Sequence, residues 1–329
     1  IELADGVAEQ RLVLRQRVVH VPCFFHKPVL EHEVVAALQP RSGGFYVDGT
    51  VGGGGHASAI LRAGSPAARL FGIDRDVEAV EAARIRLAEF GDRVELRVGN
   101  FAELAELVPE GVVDGVLLDL GVSSHQLDSA ERGFSFQRDG PLDMRFDRSQ
   151  GLTAADLVNE LDARELERLF RELGGERRAG LIARGIVRAR RHKRIERTLE
   201  LAELIERLVP RRGSCTHPAT RVFQALRMRV NDEEGVLRRG LASAWRVLRP
   251  GGRLAVICFH SGEERAVREF GRALVRDYEV DGEVDVPELR RPRVPLAVWV
   301  TGKAIGPSEA EVAENPRARS ARLRVLEKV

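Results

Sequence analysis

Phe45-Tyr46-Val47-Asp48-Gly49-Thr50-Val51-Gly52-Gly53-Gly54-Gly55-His56-Ala57 reads as an apolar strand ending in an acid, a glycine-rich turn and the start of a helix. Such a turn brings bare backbone N–H groups and a positive helix end against a ligand, as in nucleotide-type cofactor sites. The plainer reading, a mobile glycine turn, fits poorly with a clear strand before the loop and a helix bearing Ile60 and Leu61 after it. Two cofactors compete. Read from Gly52, the loop satisfies Gly-x-Gly-x-x-Ala, a dinucleotide pattern that discriminates weakly by itself. Asp48 argues the other way, because a carboxylate at the strand tip repels a pyrophosphate and can receive a positively charged amino acid moiety. S-adenosylmethionine carries such a group and no phosphate.

Working outward, a second strand is predicted at 70–73, closed by Asp74. An acid at that distance from the glycine loop suits hydrogen bonds from two ribose hydroxyls in either cofactor family. The alternative is a helix N-cap, a role open to Asp76 as well. A helix is predicted over 77–90 and a third strand over 94–98, after which Phe101 is placed to cover one face of an adenine. The apolar run at 112–118 reads as a strand buried on both faces, with Asp119 at its end. Asp48, Asp74, Phe101 and Asp119 thus fall along one edge of a doubly wound, mostly parallel α/β sheet, where ligands of such folds bind.

A chain of 329 residues, 43% hydrophobic and 31% charged, can bury one large core and a smaller one. No apolar run approaches the roughly eighteen residues of a membrane span. The 52 basic and 50 acidic residues nearly cancel, so any nucleic-acid surface must come from local clustering. Cys23, Cys215 and Cys258 are scattered, which argues against a disulfide framework and for a reducing cytoplasm, and no metal-ligand spacing joins them to a histidine. No metal is expected. Arginines interrupt the apolar stretch of residues 1–21, unlike a signal peptide.

A helical insertion is predicted over 127–215. Within it, Asp162 and Glu165 form a capping-box pattern before Leu166, Leu169, Phe170 and Leu173, and a further helix starts near Thr198. Residues 184–197 carry Arg184, Arg188, Arg190, Arg191, Lys193, Arg194 and Arg197 against the single acid Glu196. Such clustering supplies RNA affinity without large net charge, whereas a solvated helix face usually intersperses acids. Asp139, Asp143 and Asp147 lack calcium-loop spacing and read as structural or substrate-positioning. Beyond the insertion, one long helix is predicted over 218–248, turning through Pro250-Gly251-Gly252 into a strand at 254–259. His260 then either faces the site or caps the next turn. Strands at 297–300 and 323–326 are predicted to form an antiparallel edge.

Asp48 to His56, Asp119-Leu120-Gly121-Val122-Ser123-Ser124, Arg132-Gly133-Phe134-Ser135-Phe136, 139–145, His217-Pro218-Ala219-Thr220-Arg221, Phe259-His260-Ser261 and 314–320 together resemble one bacterial family. It is the ribosomal RNA small-subunit methyltransferase H family, and the resemblance runs from about His26 to the C-terminus. The resemblance implies a Rossmann-like, class I S-adenosylmethionine-dependent fold and methylation of the exocyclic amine of a cytosine in the decoding region of 16S rRNA. It also implies that Gly54, Gly55, His56, Asp74, Phe101, Asp119 and Gln126 contact the cofactor. Three features depart from the family: the lead before His26 is long, His125 stands where proline is expected, and Gly262-Glu263-Glu264 replaces Leu-Glu-Asp.

These readings divide the chain into an N-terminal extension, 1–25, a methyltransferase domain from 26–126 and 216–329, and the insertion, 127–215, for RNA recognition. A cytosine amine is a poor nucleophile, so the site must position it and accept its protons. The loop after the fourth strand lacks the polar-Pro-Pro-aromatic signature of amine methyltransferases, and Asp119, Ser123 and Ser124 are the candidates for orienting the amine. Phosphate contacts are expected from Arg188, Arg190, Arg191, Lys193 and Arg194, on 16S rRNA in a small ribosomal subunit or its precursor. The competing readings are a methyltransferase for another RNA, a protein or a small molecule, and a non-catalytic module that binds the cofactor or RNA.

Overall fold

The computed structural model describes residues 28–149, 151–211, 217–281 and 285–329. The expected extension 1–25, His26, Cys23 and Cys215 lie outside the described residues. The chain runs α1 (Glu31–Leu38), β1 (Phe45–Asp48), α2 (Gly55–Ala63), β2 (Arg69–Asp74), α3 (Val77–Arg86), β3 (Val94–Val98), α4 (Leu104–Leu107) and β4 (Val113–Asp119). It then leaves the sheet through α5 (Ser124–Asp128), α6 (Ala154–Glu160), α7 (Ala163–Glu172), α8 (Ala179–Ala189), α9 (Thr198–Leu208) and α10 (Thr220–Val230). It returns by α11 (Glu233–Val247), β5 (Leu248–Cys258) and α12 (Ser261–Val275). A small hairpin of β6 (Tyr278–Val280) and β7 (Arg290–Pro292) follows, then β8 (Ala297–Trp299), α13 (Glu309–Glu314) and β9 (Arg322–Lys328).

The main sheet has seven strands in the order β3-β2-β1-β4-β5-β9-β8. β1 to β5 are mutually parallel, β9 runs antiparallel to β5, and β8 antiparallel to β9. Strand order reverses between β1 and β4, so a crevice opens at their carboxyl ends, where Asp48 and Asp119 sit. β4 fills the middle because Val113, Val116, Leu117 and Leu118 are all buried, as a strand covered on both faces requires.

Two expected helices end early. α3 stops at Arg86 and gives way to a tighter turn over Ala88–Arg93, in which Gly91 takes a φ of 55°. The helix expected over 218–248 is two helices, broken at Asn231 and Asp232, the latter with a φ of 48°. Asn231 is buried, donates to the carbonyls of Met144 and Arg227, and accepts from the Phe146 N–H. These tertiary bonds fix the break against the local helical pattern. β5 also begins earlier than expected, at Leu248, and a register shift between Val113 and Gly115 of β4 accommodates Pro250-Gly251-Gly252.

A second core lies in the helical lobe, where Leu166, Leu169 and Phe170 of α7 meet Ile182 and Ile186 of α8 and Leu201 and Ile205 of α9. Asp162 caps α7 with the reciprocal bonds to Glu165 that the sequence pattern predicts. α10 contributes Val222, Phe223 and Leu226 to this same core, although it follows residue 215.

Candidate active site

A cavity of about 1550 Å³ occupies the crevice. The glycine loop, Asp74, Phe101 and Asp119 line one part of it, and Phe134, Phe136 and Phe223 of the lobe line another.

Asp119 of β4 lines this cavity, and Asp48 of β1 lies buried behind its wall. Asp48 is buried, and its Oδ1 accepts from the Thr50 N–H at 3.2 Å. Thr50 Oγ1 in turn accepts from the Asp119 N–H at 2.7 Å, which ties the two strand tips together. Asp48 Oδ2 and Asp119 Oδ1 are enclosed with no hydrogen-bond partner among the described residues. Burial pushes the Asp48 carboxyl up to about 7. Burial likewise raises Asp119 well above the usual range, and the charges of Asp48 and Glu263 add to the effect. His56 is also buried, with Nε2 at 2.8 Å from the Val29 carbonyl. A carbonyl only accepts, so Nε2 carries the proton and Nδ1 presents a lone pair 3.7 Å from Asp119 Oδ2. Burial lowers His56 to about 4, leaving it neutral. Among the described residues, Asp48, Asp119 and His56 thus form a nest of acceptors with no cation in contact, which fits a ligand bearing positive charge and N–H donors.

The other candidate residues take distinct places. Gly55, Asp74, Phe101, Ser123, Ser124 and Gln126 reach the cavity wall. Gly54 is instead the left-handed N-cap of α2, with a φ of 78°, and packs against Ala83 of α3 and Leu87 just beyond that helix. Asp74 accepts from the Gly52 N–H at 2.9 Å and the Asp76 N–H at 3.0 Å, so it holds the glycine loop as well as facing the cavity; burial raises it to about 6. The Phe101 ring is wedged against Gly240 of α11, where a Cβ would come within 2.1 Å of it. Ser123 caps α5 in a reciprocal box with Gln126.

Residues beyond those expected complete the walls. Asp76 is the N-cap of α3 and accepts from Gln126 Nε2 at 2.9 Å and from Arg132 Nη1 at 2.6 Å, all three side chains being buried. This joins the cofactor side to the Arg-Gly-Phe stretch at the root of the lobe. His125 pairs with Glu78 at 3.2 Å, which accounts for a polar residue where proline is expected. Arg227 forms a two-pronged pair with Glu233 across the α10–α11 break, at 2.7 and 2.8 Å. That pair could not be read from spacing, because helical periodicity does not run through the break. His260 both caps and lines: Nδ1 accepts from the Gly262 and Glu263 N–H groups while the residue faces the cavity. Glu233, His260 and Glu263 converge within 4.8 Å. The two N–H groups aimed at Nδ1 put the ring proton on Nε2, so a cation ligated there would have to displace the proton and break the cap.

The basic residues of the lobe are not equivalent. Arg190 donates from Nη1 to the Val158 and Leu161 carbonyls, both at 2.7 Å, and so braces α6. Arg194 pairs with Asp156 and Lys193 with Glu200. Arg188 and Arg191 are exposed. None of the five lines the cavity, whereas Arg221, Arg265 and Arg317 do.

Residues 23–329 match the model of the MraW methylase family. The chain is 52% identical to a protein of Symbiobacterium thermophilum named ribosomal RNA small subunit methyltransferase H, over 93% of this chain and 97% of the relative. A Geobacter sulfurreducens protein of the same name is 53% identical, over 93% of this chain and 99% of its own. A solved structure described as a putative rRNA-methylase from Clostridium thermocellum shares 14% identity at a TM-score of 0.44, covering 92% of this chain and 99% of that one. On the family match and the identities of about one half, the chain belongs to the MraW methylase family.

Proposed function

We propose that this protein transfers the methyl group of S-adenosylmethionine to the exocyclic amine of a cytosine in the decoding region of 16S rRNA, acting in the cytoplasm on the small ribosomal subunit or its precursor. The observation that carries the reading is the tied pair of strand-tip acids: Asp119 lines the cavity where the cofactor loop meets the lobe, and Asp48, buried behind it, has an Oδ2 with no partner among the described residues. When bound, S-adenosylmethionine supplies a methyl group on a sulfonium that is already activated for displacement. Asp48, buried behind the cavity wall, gives its amino acid end a counter-charge at short range, Asp74 faces the ribose while holding Gly52, and Phe101 bounds the adenine. Gly54 sets the loop, Gly55 and His56 follow it into α2, and Gln126 fixes the far wall.

The chain's task is then to hold the amine in line and take its proton. Asp119 is the acceptor through Oδ2, since its Oδ1 is enclosed, and Ser123 and Ser124 bound the amine from the loop beyond it. A paired or stacked cytosine cannot enter so enclosed a place, so the base is splayed from its strand. The lobe, residues 127–215 with α10 packed on it, serves as the RNA-recognition part, with Arg188 and Arg191 exposed to meet phosphates. The test is methyl transfer from a labelled donor to naked 16S rRNA, precursor particles and mature subunits, with mass spectrometry of the nucleosides. N4-methylcytidine in rRNA from any of them supports the reading, and labelled protein with unlabelled RNA refutes it.

A further inference from the structure

We infer that Phe259, at the tip of β5, is the stacking platform for the target base, supplying from a neighbouring strand the aromatic face that the loop after β4 lacks. The inference rests on the rRNA reading above. That loop, Leu120-Gly121-Val122-Ser123-Ser124, contains no aromatic residue. β4 and β5 are paired to their ends, with Asp119 opposite Ile257 and the Leu120 N–H donating to the Ile257 carbonyl at 3.0 Å. This brings Phe259 over the loop. Gly121 has a φ of 102°, and a Cβ built on it would lie 3.4 Å from Phe259 Cδ2, so the ring rests directly on the glycine backbone. The platform is also pinned from behind, because Glu263 Oε2 accepts from the Phe259 N–H at 2.7 Å and from the His260 N–H at 3.2 Å.

The ring is only partly buried and lines the same cavity as Asp119, Ser123 and Ser124. The other aromatic rings there are already occupied. Phe136 packs on His217 at 4.6 Å and Phe223 at 4.8 Å, Phe134 stacks on Phe146 at 5.4 Å, and Phe101 is wedged against Gly240. Among the described residues no ring or guanidinium is stacked on Phe259. An extruded pyrimidine loses its stacking partners, and a fixed aromatic face beside the proton acceptor restores one while orienting the exocyclic amine.

The test compares Phe259→Leu with Phe259→Tyr and Phe259→Trp in the full chain, using unmethylated small-subunit particles. Phe259→Leu should lower kcat/KM for the particle roughly 5- to 100-fold, while Tyr and Trp stay within about threefold of wild type. S-adenosylmethionine Kd and melting temperature should be unchanged in all three. Where Leu lowers the melting temperature, Phe259→Met takes its place as a ringless side chain of similar reach. The platform is refuted if the ringless variant keeps wild-type kcat/KM, if Tyr and Trp fall as far as Leu, or if cofactor affinity falls in parallel. A wild-type enzyme that methylates no particle refutes instead the rRNA reading on which the platform rests.

Discussion

His56 Nδ1 and Asp119 Oδ2 face each other at 3.7 Å, and the proton of His56 is committed to the Val29 carbonyl on its other side. Two acceptors held this close favour whatever brings a proton or a positive charge between them. Without ligand, protonated carboxyls serve; with S-adenosylmethionine, its own charge does.

Cofactor affinity should therefore depend on pH. Burial pushes the Asp48 carboxyl up to about 7, and a cationic ligand prefers its ionised form. Below that value the apparent affinity should fall by up to about tenfold per pH unit. Calorimetry from pH 7 down to 5.5 should show this decline, with Asp48→Asn binding more weakly at pH 7 and nearly independent of pH. A flat wild-type profile would count against the counter-charge role.

The same acids trade stability for function. Burial raises both Asp48 and Asp119, so their contribution to folding is fully present below the unfolded carboxyl value near 4. It is lost as pH rises through the folded values, about 7 for Asp48. Asp119→Asn should accordingly raise the ligand-free melting temperature at pH 8 and lower methyl transfer by about 100-fold or more. A variant that melts lower and stays active would remove Asp119 from both roles.

Much of this arrangement was legible in the sequence because it rests on local signals. The tips Asp48, Asp74 and Asp119 follow apolar strands, and the glycine loop lies between a strand and a helix. The antiparallel β9 also lies where the apolar pattern at 323–326 placed it. What local patterns do not carry is long-range. Asn231 breaks a helix through bonds to Met144 and Phe146, and Arg132 reaches Asp76 from the far side of the cleft, with neither partner marked by any spacing. The basic run showed composition but not its internal uses, since Arg190 is spent on carbonyls that only the folded lobe brings near.

Arg132 and Asp76 are a buried charge pair at 2.6 Å, and removing one partner strands the other. Arg132→Ala should cost about 3–5 kcal/mol in denaturant unfolding. Arg132→Ala with Asp76→Asn should recover part of that stability. Equal destabilisation by the single and double changes would mean the pair is not the source.

The basic residues should separate by function. Arg188→Ala with Arg191→Ala should flatten the salt dependence of RNA binding by a slope of about one for each phosphate left without its cation, with stability unchanged. Arg190→Ala, which deprives two carbonyls of a donor, should cost about 1–3 kcal/mol of stability. Parallel salt titrations for wild type and the double variant would make Arg188 and Arg191 a solvated face.

Which atom of the base is methylated turns on the cysteines. Methylation at a pyrimidine ring carbon requires a thiolate to add to the ring first. Cys258 lies inside β5, and burial, aided by Glu263 and Glu264, pushes its thiol far above the usual range, so it holds its proton and cannot attack. Cys23 follows Pro22, the dipeptide found in ring-carbon enzymes, but precedes the first strand in sequence instead of lying in the loop after β4. Cys258→Ser and Cys23→Ala, singly and together, should therefore retain most methyl transfer, and the digested RNA should carry its methyl group on the exocyclic nitrogen. A ring-carbon methyl in the mass spectrum, or complete loss of activity in a folded Cys23→Ala protein, would overturn the amine mechanism and with it the role given to Asp119.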